Sequence, residues 1–153
     1  MSQENVEVVQ AYLETPLTAG ESDAKVPEDL AAWIAEFWES DGDYYPIRGF
    51  PEAQPCHGRE EIVDFLTGYI AAWERYRYVV NDVRTIGDDR VFVRGHFWAE
   101  GRASGVAQDS DLYHCFWLRH GRFIRCEDHL TAQGALHALG LTTETFEAAR
   151  LRE

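Results

Sequence analysis

Hydrophobic positions along the chain change period once, and that change organises the fold. Val6, Val9 and Leu13 recur at helical spacing, with Val8 and Tyr12 flanking them, and Pro16 closes this opening helix. A small polar stretch, Thr18 to Lys25, reads as a loop. Pro27, Glu28 and Asp29 then suit a helix start, followed by Leu30, Trp33, Ile34, Phe37 and Trp38 on one face. After a break at Ser40-Asp41-Gly42, Asp43 to Ile47 reads as a short strand, and Arg48 to Gly58 as a loop. Ile62, Phe65, Leu66, Tyr69, Ile70 and Trp73 form the longest stripe, at i, i+3, i+4, i+7, i+8 and i+11, and predict a third helix.

From Tyr76 the period is two. Strands are predicted over Tyr76–Ile86, Arg90–Ala103, Val106–Arg119 and Arg122–Leu130, joined at Gly87-Asp88-Asp89, Ser104-Gly105 and His120-Gly121. A short helix over Ala132–Leu139 follows, with Gly140 as its C-cap, and the residues from 142 to 153 form a tail outside a domain spanning 1–141. Helices first and a meander of long strands afterwards is an α+β order. Strands of this length curl, so the expected architecture is helices packed on a strongly curved antiparallel sheet, a cone with an internal pocket.

Composition narrows the function. With 14 basic and 27 acidic residues the chain carries a formal charge of −13, which repels nucleic-acid backbones and anionic membranes. No apolar run is long enough to predict a membrane span. Cys56, Cys115 and Cys126 show no CxxC spacing, so neither a disulfide framework nor a zinc signature is predicted. Reduced thiols and the lack of a visible leader predict a cytoplasmic protein. The six histidines show no HxH or HExxH spacing, and no metal or cofactor is expected.

The order of elements and several short strings resemble the nuclear-transport-factor-two-like superfamily, and within it the SnoaL-like proteins related to ketosteroid isomerases, polyketide cyclases and limonene epoxide hydrolases. The strings are Phe37-Trp38-Glu39-Ser40-Asp41, Gly58-Arg59-Glu60, Gly87-Asp88-Asp89-Arg90-Val91, Ser104-Gly105, Gly121-Arg122-Phe123-Ile124 and Arg125-Cys126-Glu127-Asp128-His129. The resemblance implies a cone fold and sets the strand phase. It turns Asp43 and Tyr45, Gly95 and Phe97, His114 and Phe116, and Cys126 and Asp128 inward.

Asp128 falls where similar epoxide hydrolases carry a pocket aspartate, and a carboxylate in an apolar cone suits general acid–base work. His114 falls at the oxyanion-hole aspartate of similar isomerases. Tyr12 falls at their oxyanion tyrosine. Tyr45 replaces their catalytic base, with Asp43 two residues earlier. Gly95 and Phe97 replace the arginine and second aspartate of the hydrolases, so neither precedent transfers whole. Each candidate also has a structural account: a capping aspartate, a core histidine, packed tyrosines.

Trp33, Phe37, Phe65, Phe97, Phe116 and Cys126 are the expected substrate wall. The outer strand face carries Trp98, Tyr113, Cys115 and Trp117, an aromatic patch that predicts a homodimer unless the tail covers it. Two functions stay open: a cofactor-free isomerase, cyclase or hydratase/hydrolase acting on a small apolar oxygenated molecule, and a non-catalytic ligand-binding or dimeric scaffold domain.

Overall fold

A computed structural model describes residues 2–13, 22–23, 29–47, 54–142 and 144. Pro16, Pro27 and most of the tail lie outside the described residues. The elements are α1 (Ser2–Leu13), β1 (Ser22–Asp23), α2 (Leu30–Phe37), β2 (Trp38–Tyr45), β3 (Cys56–His57), α3 (Arg59–Ala71), β4 (Trp73–Ile86), β5 (Arg90–Gly101), β6 (Ala107–Arg119), β7 (Arg122–His129) and α4 (Ala132–Ala138). The helix-then-meander order predicted from periodicity is the order observed.

Among the described residues the strands form one open seven-stranded sheet in the order β1-β4-β5-β6-β7-β2-β3. The long strands pair antiparallel, whereas β2 lies parallel to β7. That parallel neighbour makes the sheet mixed, a pairing that alternation within a strand cannot reveal. Register shifts interrupt the ladders at Val80/Asp82, at Trp117/Leu118 and between Trp38 and Asp43. Each shift bends its strand and raises its twist, which curls the sheet around one face.

The inner face holds the main core. Val9 and Leu13 from α1, Leu30 and Ile34 from α2, and Ile62, Leu66 and Ile70 from α3 meet Val91, Val93, Phe97, Phe116, Phe123 and Cys126 from the sheet. Arg59 stitches two helices together. It donates to the Trp38 carbonyl from Nε at 2.9 Å and Nη2 at 2.6 Å, and to the Ala35 carbonyl at 3.3 Å, so it satisfies carbonyls at the end of α2 while opening α3.

The outer face carries a second, smaller core. Phe92, Tyr113 and Cys115 pack beneath Ala135 and Leu136 of α4 and the Leu139 that caps it. Tyr113 and Cys115, expected in an exposed dimer face, are therefore covered by α4 of the same chain. Trp98 and Trp117 remain half-buried on that side. Arg90 fixes α4 by donating to the Leu139 carbonyl at 2.6 Å.

Candidate functional site

Asp128 and His114 are direct cross-strand partners on β7 and β6, so their side chains rise from adjacent points on the inner face. His114 Nδ1 bonds Asp128 Oδ1, and the Tyr44 hydroxyl donates to Asp128 Oδ2. Cys126, two residues earlier on the same face, points its thiol at Oδ1 from 3.7 Å. The Asp128 side chain is 6% exposed and that of His114 13%. A carboxylate oxygen accepts, so in the neutral imidazole Nδ1 carries the proton and Nε2 the lone pair. Among the described residues no hydrogen bond engages that Nε2.

Phenols surround the pair. Tyr12 comes from α1, Tyr44 from β2, Tyr69 from α3, and Tyr76 and Tyr78 from β4. All are pushed far above the ordinary phenol range, first by burial and then by neighbouring groups, the Asp128 charge acting on every one of them. They are neutral O–H groups at any physiological pH, suited to donating and accepting hydrogen bonds and unsuited to acting as bases. Burial and Asp128 likewise push the Cys126 thiol up.

Packing fixes these rings in place. Tyr12 stacks on Trp33 with centroids 4.6 Å apart and planes 6° from parallel, and Trp38 Nε1 donates to its hydroxyl at 3.4 Å. Tyr78 donates to the Leu112 carbonyl at 3.2 Å and meets the His114 ring edge-on at 5.3 Å. Its ring fills the space beside Gly95, where an added Cβ would stand 2.2 Å from the ring. Gly95 is thus not an arginine position left empty. Tyr78 occupies the volume, and only glycine admits it.

Of the candidates, Asp128 and His114 meet directly, and Tyr12 packs nearby with its ring 6.1 Å from Phe116. Phe116 lies against the His114 ring at 5.8 Å, and Cys126 joins the pair directly. Phe97 packs on Tyr76 at 5.7 Å, and Phe65 on Tyr44 at 5.6 Å. Trp33 and Phe37 line the Tyr12 end.

Asp43 and Tyr45 do not belong to the site. Asp43 Oδ1 bonds His57 Nδ1 at 2.7 Å on the exposed β2–β3 edge. Tyr45 lies under the Arg125 guanidinium, 4.4 Å from its ring centroid. The inward residue is Tyr44, between them. The strand begins at Trp38, directly after α2, and its register against β7 shifts between Trp38 and Asp43. Trp38 and Tyr44, six residues apart, both pack on the inner core, so the alternation that starts at Trp38 puts Tyr44 on the core face and Asp43 and Tyr45 on the other. Gly42 permits the arrangement: a Cβ there would meet the Trp38 indole at 2.6 Å.

Tyr44, Tyr69, Tyr76 and Tyr78 were not singled out by sequence reasoning. Tyr76 and Tyr78 had a usable signal, since they alternate on one strand face opposite Ala99 and Phe97. Tyr69 sat in the stripe of α3 and was indistinguishable from core.

A cavity of about 500 Å³ opens along the flank of α3, lined among others by Cys56, Glu61, Asp64, Phe65, Tyr69 and Trp73. Phe65, which touches Tyr44, and Tyr69, which touches Tyr76, form its wall on the side of those tyrosines. The chemistry available is proton transfer at His114 Nε2, oriented by Asp128, with neutral phenols to steady developing negative charge on oxygen. One ligand of His114, one of Cys126 and one of Asp128 also lie within 4.8 Å of one another, a donor set that could hold a metal ion.

A family model described as the SnoaL-like domain matches residues 22–126. No curated protein matches the chain. Among solved structures, a protein from Jannaschia sp. CCS1 provisionally assigned as a SnoaL-like polyketide cyclase is 19% identical, with 84% of this chain and 85% of that one covered and a TM-score of 0.67. TerC co-crystallised with polyporic acid is 21% identical, with 89% and 97% covered and a TM-score of 0.65. A protein of ketosteroid isomerase-like fold from Catenulispora acidiphila DSM 44928, in complex with trimethylamine, is 15% identical, with 90% and 95% covered and a TM-score of 0.64. Identities this low establish a shared fold. With the family model spanning more than half of its length, the chain belongs to the SnoaL-like domain family, and its α+β cone is the fold of these solved structures.

Proposed function

We propose that the chain is a cofactor-independent acid–base enzyme acting on a small, apolar, oxygenated substrate by isomerisation, cyclisation or hydration/hydrolysis. The observation that carries this reading is the pairing of His114 Nδ1 with a nearly buried Asp128 among neutral tyrosines. A core needing only packing gains nothing from a carboxylate there, since burying one is costly without partners. In the proposed mechanism Asp128 holds the imidazole with its lone pair on Nε2. His114 then takes a proton from carbon or water and returns it, and phenols such as Tyr12 donate to the developing oxyanion. The fold neighbours, a polyketide cyclase-like protein and one that binds polyporic acid, make oxygenated aromatic and polyketide-like compounds the first to screen.

Asp128→Asn tests the reading. The amide can still accept from Tyr44, but its NH2 faces His114 Nδ1 and drives the other tautomer, which removes the lone pair from Nε2. Turnover is expected to fall roughly 10²–10⁴-fold, the usual contribution of a general base. Long-range proton–nitrogen NMR reads the tautomer independently of any substrate. Full activity in the variant, or a wild-type His114 protonated on Nε2, would overturn it.

The scaffold reading keeps one supporting observation. Trp98 and Trp117 stay half-buried on the outer face, which favours a homodimer there. Light scattering on Trp117→Glu decides: a wild-type monomer removes the dimer.

A further inference from the structure

We infer that His114, Cys126 and Asp128 bind a thiophilic divalent cation of the zinc type, in competition with the proton shared by His114 and Asp128. The inference goes beyond acid–base catalysis and does not require it. Their ligating atoms, one nitrogen, one sulfur and one carboxylate oxygen, lie within 4.8 Å of one another. Tetrahedral zinc spans its ligands over separations of this order, given bonds of about 2.0–2.3 Å.

The scaffold is rigid. His114 and Asp128 are cross-strand partners, and Cys126 is paired with Phe116 one step along the same ladder. Ligands on paired strands need no loop closure to meet. The donor types select the ion: sulfur and imidazole favour zinc or cobalt and disfavour magnesium and calcium, which take oxygen.

Charge balance points the same way. A thiolate and a carboxylate supply two negative charges, which a divalent ion neutralises inside an apolar shell. Three protein donors leave a fourth position open, as in sites that keep water or substrate on the ion. Tyr44, bonded to Oδ2, holds the carboxylate from the side opposite His114 and orients it as an outer partner.

Proton balance follows. On binding, the Cys126 thiol loses its proton to solvent, and His114 coordinates through Nδ1 with its proton moved to Nε2. Binding releases the thiol proton, so affinity rises with pH. The same movement removes the Nε2 lone pair, so the ion inhibits acid–base turnover.

Cobalt(II) titrated into the chelator-treated, dialysed full chain tests this. The expected result is one equivalent bound, with a near-ultraviolet sulfur-to-cobalt band and visible bands of tetrahedral intensity, displaced by zinc. Cys126→Ser should abolish the ultraviolet band. His114→Ala should weaken binding by at least roughly the tenfold that loss of an outer partner alone costs. If Cys126→Ser does not fold, His114→Ala carries the comparison. His57→Ala and His96→Ala, at exposed Asp-paired histidines, should bind as wild type. No sulfur band, a band that survives Cys126→Ser, or binding lost in His96→Ala overturns the inference. A missing cobalt spectrum with turnover that still depends on Asp128 leaves the acid–base reading intact.

Discussion

Replacing Gly95 with alanine should damage the site from behind, through Tyr78. The new Cβ would stand 2.2 Å from the Tyr78 hydroxyl and ring carbon, well inside van der Waals contact. Tyr78 is 4% exposed, and its ring is walled by the His114 imidazole, so it has nowhere to retreat without disturbing the pair. Overpacking a filled core costs about 1–3 kcal/mol. Moving the ring also breaks the 3.2 Å bond to the Leu112 carbonyl, worth about 1 kcal/mol. The expected loss is about 2–4 kcal/mol, a fall in melting temperature of roughly 5–15 °C for a domain of this size. Urea unfolding of Gly95→Ala, Tyr78→Leu and the double variant measures it. In the Tyr78→Leu background the clash is gone, so Gly95→Ala should cost less than about 1 kcal/mol, leaving a coupling of about 1–3 kcal/mol between the sites. A cost below about 1 kcal/mol in the wild-type background, or an equal cost in both, would refute the steric account.

Three further outcomes are expected. Arg59→Ala removes the donor to the Trp38 and Ala35 carbonyls and should cost about 1.5–3 kcal/mol in urea unfolding, with Arg59→Lys recovering less than half because an ammonium lacks the forked donor geometry. Gly68→Ala, in a helix with nothing within 4 Å of the new Cβ, should stabilise by up to about 1 kcal/mol, and a destabilised variant would show that this flank of α3 is constrained. His96 is raised by its bond to Asp111 and then by Asp109. Its contribution to stability is therefore complete below the unfolded value of about 6.5 and is lost as pH rises through the higher folded value. An NMR titration of His96 should give a midpoint above the ordinary value, lowered by Asp111→Asn, and a midpoint at or below the ordinary value sinks this.

Periodicity alone determined the helices, the long strands and their order, because burial of one face imposes a period of 3.6 or 2 on any chain that forms them. With the phase that the family resemblance implies, alternation also placed Asp128, His114, Phe116 and Cys126 on one face. The tertiary structure decided what alternation cannot carry. Strand β2 begins at Trp38, and its inward indole sets a phase that puts Tyr44, not Asp43 or Tyr45, on the core face. The parallel seating of β2 beside β7 brought the Tyr44 hydroxyl to Asp128 from 84 residues away. Folding α4 back over Tyr113 and Cys115 turned an apparent interface into a second core. Gly95, which in sequence looks like a lost functional residue, is the space that the ring of Tyr78 occupies. The convergence of His114, Cys126 and Asp128 likewise lies outside any linear spacing rule, because strand pairing, not sequence distance, brings a nitrogen, a sulfur and an oxygen to one point.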